Sequence, residues 1–164
     1  MIDTEFRRAI ERLHYSSSRK LLDPGPLRFI SRWLARKGEG RIVPAQLFFG
    51  RTMNVVLPEI VSEQIYTYGL FDEVVTWLAI KAAREGDTVL DVGGHFGYFT
   101  LLFSELVGES GQIVAFEPTP STYGLLRDNV KRCPNVVAEN LAVPFEPASS
   151  RFVVHKDVID LTEL

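Results

Sequence analysis

One aspartate and three glycines occupy seven positions between an apolar run and an apolar helical pattern: Thr88-Val89-Leu90, then Asp91, Gly93, Gly94 and Gly97. Glycine lets backbone turn tightly and lets a ligand approach with no Cβ in the way. A helix beginning near Gly97 would present free N–H groups and the positive end of its dipole. A dinucleotide loop reads G-x-G-x-x-G, whereas Gly94 follows Gly93 directly and Gly93 to Gly97 reads G-x-x-x-G. A phosphate loop needs Gly-Lys-Ser/Thr, which the chain lacks. Asp91 ahead of the loop repels a pyrophosphate and suits a cationic, amine-bearing ligand.

Glu117 supplies a second element. It ends the next apolar run, twenty residues past Gly97, where an acid typically binds ribose hydroxyls. A carboxylate accepts two hydrogen bonds from a vicinal diol, each charge-assisted bond worth about 1.5–3 kcal/mol. The implied ligand is a nucleoside with a ribose, no pyrophosphate and a positively charged tail. S-adenosylmethionine meets that description.

These residues need elements to hold them. Phe71, Val74, Val75, Leu78, Ala79 and Ala82 predict a helix with one apolar stripe, stopped by Gly86. "TVLDV" (88–92) reads as a strand buried on both faces. Phe99, Leu102, Phe103 and Leu106 predict a helix ending near Gly108 and Gly111. "QIVAFE" (112–117) is a second strand; Thr119 and Pro120 open a helix buried through Tyr123, Leu126, Val130 and Cys133. "NVVAEN" (135–140) is a third strand and "SRFVVH" (150–155) a fourth. Upstream, Phe6, Ala9, Ile10 and Leu13 predict a helix near 3–15. "SSS" and "DPGP" break the chain, and a second helix covers 27–37. "QLFFGRTMNVVL" (46–57) reads as two strands around Gly50-Arg51. Alternating strands and helices mean βαβ units, hence an α/β fold with a parallel sheet and helices on both faces. Ligands then sit at the carboxyl ends of the strands, where Asp91 and Glu117 lie.

Three segments resemble the first half of a class I S-adenosylmethionine-dependent methyltransferase: "DTVLDVGGHFGYFT", "IVAFEPTPSTYGLLRDNV" and "ENLAV". More narrowly they resemble the FkbM-type family, through Asp91, Gly93, Gly97 and Thr100, then Phe116-Glu117-Pro118, then Asn140 and Ala142. "YTYGLFDE" (66–73) is similar to that family's Gly-aromatic-acid stretch. Gly94 and His95 stand where the family commonly has Ala-Asn. The resemblance implies a Rossmann-like methyltransferase fold, incomplete here with its first three core strands, behind a helical N-terminal segment. It implies a 1–64 extension and a 65–164 cosubstrate domain truncated at its C-terminus. It implies S-adenosylmethionine bound by Asp91, Gly93, Gly94, His95, Gly97, Glu117, Pro118, Asn140 near the adenine, and Ala142. No general base is assigned. The implied reaction is O-methylation of a sugar or small metabolite, with a small-molecule acceptor. The first strand would keep an open edge, which reads first as that of a fragment or shortened variant of the fold and otherwise as one that a homo-oligomer would cover.

Composition bounds the alternatives. At 164 residues and 46% hydrophobic content the chain fits one domain with a core. A single cysteine, Cys133, excludes an internal disulfide framework and a cysteine-rich zinc site. The first twenty residues are studded with Arg and Glu, unlike a signal peptide. No apolar stretch approaches the roughly 20 residues that span a bilayer. A cytoplasmic protein is expected. Residues 1–41 carry ten Lys/Arg against five Asp/Glu, and the remainder eight against sixteen. The basic excess reads as a solvated helix face, and no nucleic acid partner is expected. Asp72 reads as a helix N-terminal acid, Trp33 and Trp77 as packing residues, and His14 and His155 as surface or packing residues. Two rivals stand beside methyl transfer. One is a non-catalytic assembly module of methyltransferase-like fold. The other is a nicotinamide-dependent oxidoreductase, which the G-x-x-x-G spacing opposes.

Overall fold

The structure is a computed structural model that describes residues 2, 4–10, 40–143, 151–154 and 157–160. The expected helix at 27–37 and the SSS and DPGP breaks lie outside them. The chain divides into two compact units, Met1–Ala83 and Arg84–Leu164.

In the first unit, residues 4–10 are helical. Phe6 and Ala9 are buried, and the Phe6 ring meets Phe48 edge-on at 5.7 Å. β1 (Arg41–Gln46) and β2 (Thr52–Leu57) pair antiparallel, Arg41 opposite Leu57 and Gln46 opposite Thr52. The first strand thus lies earlier than the sequence pattern placed it. The apolar Leu47-Phe48-Phe49 run forms the connection instead: Leu47 N–H donates to the Arg51 carbonyl (2.7 Å) and Gly50 N–H to that of Leu47 (3.0 Å). Burial of Leu47 and Phe48 within the turn explains its hydrophobicity. Along β2, Met53, Val55 and Leu57 alternate into the core.

α1 (Ile60–Tyr68), absent from the sequence reading, starts at Glu59, whose carboxylate accepts the Val61 and Ser62 N–H groups. It ends at Gly69, where φ is +66° and a Cβ would stand 2.5 Å from the Gln46 carbonyl oxygen. Only glycine fits there. α2 (Glu73–Ala82) begins at Asp72, which accepts the Val75 N–H at 3.1 Å, so this acid is a cap. The predicted apolar stripe is buried only in part. Ala79 is covered along with Thr76, while Val74 (62%), Val75 (42%) and Leu78 (51%) are exposed. Gly86 does not cap this helix, which ends at Ala82 with Ala83 as its C-cap. It sits in the turn beyond, donating to the Val107 carbonyl at 2.8 Å.

The second unit holds three parallel strands in the order β3 (Thr88–Val92), β4 (Gln112–Phe116), β5 (Val136–Glu139). Val92 lies opposite Phe116, and Phe116 opposite Glu139, so the strand tips are level. α3 (Tyr98–Val107) packs on β3 and β4, and α4 (Pro120–Val130) on β5. In the central strand Ile113, Val114, Ala115 and Phe116 are all buried. Leu102, Ile113 and Leu126 are fully buried, each worth about 1.5–3 kcal/mol of apolar burial. β3 is not buried on both faces as its composition predicts: Leu90 is 37% and Val92 61% exposed. It is an edge strand, with one neighbour among the described residues. A further hairpin pairs β6 (Arg151–Val154) with β7 (Asp157–Asp160) antiparallel. The first matches the predicted fourth strand; the second was not foreseen.

Candidate cosubstrate site

The level tips of β3 and β4 deliver Asp91 and Glu117 to the same end of the sheet, and the glycine loop joins them. Gly93 and Gly94 N–H groups donate to the Phe116 carbonyl at 2.8 and 2.9 Å, folding the loop over the neighbouring strand. Gly93 has φ +84°, and a Cβ built on it would meet nothing within 4 Å. That side of the loop is open for a ligand to approach backbone. Gly97, the residue before α3, also has positive φ (+98°). That φ calls for glycine by itself, and packing adds to it, because a Cβ would come 2.8 Å from Leu126 Cδ1.

Glu117 is only 6% exposed. Its Oε2 accepts the His95 N–H (3.0 Å) and its Oε1 the Thr119 N–H (2.9 Å). A carboxylate offers about four acceptor positions, so capacity for a diol remains after these two bonds. Asp91 Oδ2 accepts the hydroxyl of Thr100, a fully buried residue one turn into α3. Burial raises the Asp91 carboxyl above its ordinary range; the Thr100 bond opposes this, and the nearby Glu117 charge adds to it.

His95 adopts φ +50°, rare for a residue with a Cβ. Its ring lies against Phe96, centroids 3.9 Å apart. Asn140 follows β5 and donates through Nδ2 to the carbonyls of Glu117 (2.8 Å) and Pro118 (3.1 Å). Ala142 is exposed two residues further on. Hydrogen bonds therefore tie Gly93, Gly94, His95, Glu117, Pro118 and Asn140 into one cluster, with Asp91 joined by charge and Gly97 closing the loop through its bond to the Gly94 carbonyl (2.8 Å). Three participants escaped the sequence reading as site residues: Thr100, the Phe116 carbonyl and the Thr119 N–H. Thr100 carried a signal, standing among the motif residues that the resemblance rests on. The other two are backbone groups, which sequence does not mark. Among the described residues, no group of three or more His, Cys, Asp or Glu is placed to hold a metal ion. Nor, among the described residues, is any helix long and apolar enough to cross a membrane.

A family model described as protein-L-isoaspartate(D-aspartate) O-methyltransferase (PCMT) matches residues 52–145, more than half of the chain. The chain belongs to this family. The PCMT match spans the glycine loop, Glu117 and Asn140. The chain is 43% identical over 49 residues to the protein-L-isoaspartate O-methyltransferase of Methanothrix thermoacetophila, covering 30% of this chain and 23% of that protein. It is 38% identical over 48 residues to the one from Methanococcoides burtonii, covering 29% and 24%. These matches span about a quarter of either relative's length. A solved S-adenosylmethionine-dependent O-methyltransferase from Thermotoga maritima covers 62% of this chain and 40% of its own, at 19% identity and TM-score 0.42. The matched family differs from the FkbM-type family that the motifs resemble. What the two have in common is the class I S-adenosylmethionine-dependent methyltransferases, whose cosubstrate is S-adenosylmethionine.

Proposed function

We propose that this chain carries the cosubstrate-binding half of a methyltransferase that esterifies a carboxylate, with an isoaspartyl residue of a protein as acceptor. The observation that carries the binding half is Glu117: a buried carboxylate at a strand tip, anchored by two N–H groups with acceptor capacity to spare. The acceptor rests on PCMT membership. In this reading Glu117 takes the ribose diol, Asp91 faces the cationic amino-acid end, and Gly93 lets the ligand approach backbone. When bound, S-adenosylmethionine supplies a methyl group already activated on a sulfonium. The protein's task is then to hold donor and acceptor in line, and such positioning is worth about 7–11 kcal/mol.

A second reading keeps the site and changes the acceptor to a hydroxyl of a sugar or small metabolite. The FkbM-like motif set Asp91, Gly93, Gly97, Thr100, Phe116-Glu117-Pro118, Asn140 and Ala142 favours it. Calorimetry with S-adenosylhomocysteine tests binding, and transfer of labelled methyl to an isoaspartyl peptide tests the acceptor. Base-labile label on the peptide supports the first reading. Binding with label only on sugars supports the second. A folded protein that binds no S-adenosylhomocysteine and ignores Glu117→Ala refutes both, leaving the assembly-module alternative. That alternative has a second copy pairing with the β3 edge, and light scattering reads it as a dimer.

A further inference from the structure

We propose that Asn140 is a positioning residue that sets the register of Glu117, rather than a ligand of the adenine. Its side-chain amide carries two N–H groups, and two carbonyls, those of Glu117 and Pro118, take them at 2.8 and 3.1 Å. Only the nitrogen can face two carbonyl oxygens, so the amide orientation is fixed. The Asn140 side chain has no donor left for a base, and of its polar atoms Oδ1 alone remains.

The reason for this arrangement lies in the turn. The β4–β5 ladder ends where Glu117 N–H donates to the Glu139 carbonyl at 3.0 Å. Beyond it, the next N–H on that side is that of Thr119, which turns back to the Glu117 carboxylate, and Asn140 continues the attachment through its side chain. The Glu117–Thr119 turn is thus fastened to the end of β5. The same turn aims the Glu117 carboxylate, which reaches 22 residues back in sequence to the His95 N–H. The chain of contacts runs from Asn140 to the turn, to Glu117, to the glycine loop. None of these steps requires Asn140 to touch a ligand.

The ligand-binding arm of the test rests on the proposed cosubstrate; the exchange arm does not. Asn140→Asp is the informative substitution. It keeps an acceptor oxygen that a 6-amino purine could use, and removes the donor, setting a carboxylate against two carbonyls. A positioning role predicts about tenfold weaker S-adenosylhomocysteine binding by calorimetry, the equivalent of two modest hydrogen bonds. It also predicts no further loss when Asn140→Asp is added to Glu117→Gln, since the effect passes through Glu117. Amide hydrogen exchange at His95 and Thr119 quickens in Asn140→Asp, with or without ligand. Wild-type affinity in Asn140→Asp, or losses that add across the double variant, overturns the proposal in favour of no role or a direct base contact. Should the wild-type chain bind no S-adenosylhomocysteine, the proposed function fails and exchange alone decides: faster exchange at both amides upholds the positioning role, and unchanged exchange ends it.

Discussion

Glu117→Gln tests the centre of the site with almost no change in shape. The wild-type carboxylate accepts two backbone N–H groups, from His95 at 3.0 Å and Thr119 at 2.9 Å. Charge-assisted bonds of this kind are worth about 1.5–3 kcal/mol each, so about 3–6 kcal/mol together. A glutamine has one oxygen and can satisfy one N–H through a neutral bond of about 1 kcal/mol. Its NH2 group then confronts the second N–H, donor against donor. The net loss is about 2–5 kcal/mol, reduced somewhat because a neutral amide is cheaper to bury than a charge. For a unit of this size about 1 kcal/mol moves the melting temperature by roughly 4–8 °C. A fall of at least about 8 °C is therefore expected by calorimetry. A second readout separates this from general damage. The Glu117 charge is one of the causes that raise the Asp91 carboxyl. Removing it lowers the Asp91 pKa, which carboxyl-carbon NMR follows directly. Under the proposed function S-adenosylhomocysteine affinity falls as well, since a diol held by Glu117 would lose an acceptor. An unchanged melting temperature together with an unmoved Asp91 titration would refute the geometry from which these numbers come.

Thr100→Val replaces the buried hydroxyl with a methyl and leaves the charged Asp91 without that donor, costing about 1–3 kcal/mol at neutral pH. The Thr100 bond holds the Asp91 pKa down, so the variant's pKa is higher still, and urea midpoints should converge with wild type as acid protonates Asp91. Asp91→Asn should behave oppositely. The folded carboxyl is raised, so the native protein loses stability as pH climbs from the ordinary carboxylate range through the raised value. The variant escapes that loss, is more stable than wild type at neutral pH but not at low pH, and binds S-adenosylhomocysteine more weakly; pH-dependent denaturation with calorimetry checks both. Gly97→Ala forces a Cβ to 2.8 Å from Leu126 Cδ1 at φ +98°. It should cost about 1–3 kcal/mol in urea unfolding, and pairing it with Leu126→Ala should recover the steric part.

Much of the second unit was legible in its residues. The β3–α3–β4–α4–β5 order, the cap region at Thr119-Pro120 and the buried face of α4 through Leu126, Val130 and Cys133 follow from periodicity and turn chemistry. These signals are local: a helix or strand writes its own repeat into neighbouring residues. The placement of Asp91 and Glu117 at neighbouring strand tips was legible too, because strands of similar length in a parallel sheet end level. The first unit was less legible. Leu47-Phe48-Phe49 has strand-like composition yet forms a buried turn, since hydrophobicity reports burial and not conformation. The exposed stripe on α2 and the edge position of β3 make the same point. An apolar pattern says that a face can be covered, and only the neighbours decide whether it is.

Which atoms cooperate was a tertiary matter throughout. Thr100 meets Asp91 across nine residues, His95 meets Glu117 across 22, and Asn140 meets Glu117 across 23. The sequence alone determined that an acid, a glycine loop and a second acid stand at adjacent strand tips. The fold determined that Gly97 takes a positive φ close against Leu126, that Glu117 anchors the loop with its own carboxylate, and that the Asn140 amide is spent on backbone. Hydrogen bonds are directional and short-ranged, so their partners depend on where backbone carbonyls and N–H groups arrive after packing. Those groups are the same in every residue but proline, and no pattern of side chains announces them in advance.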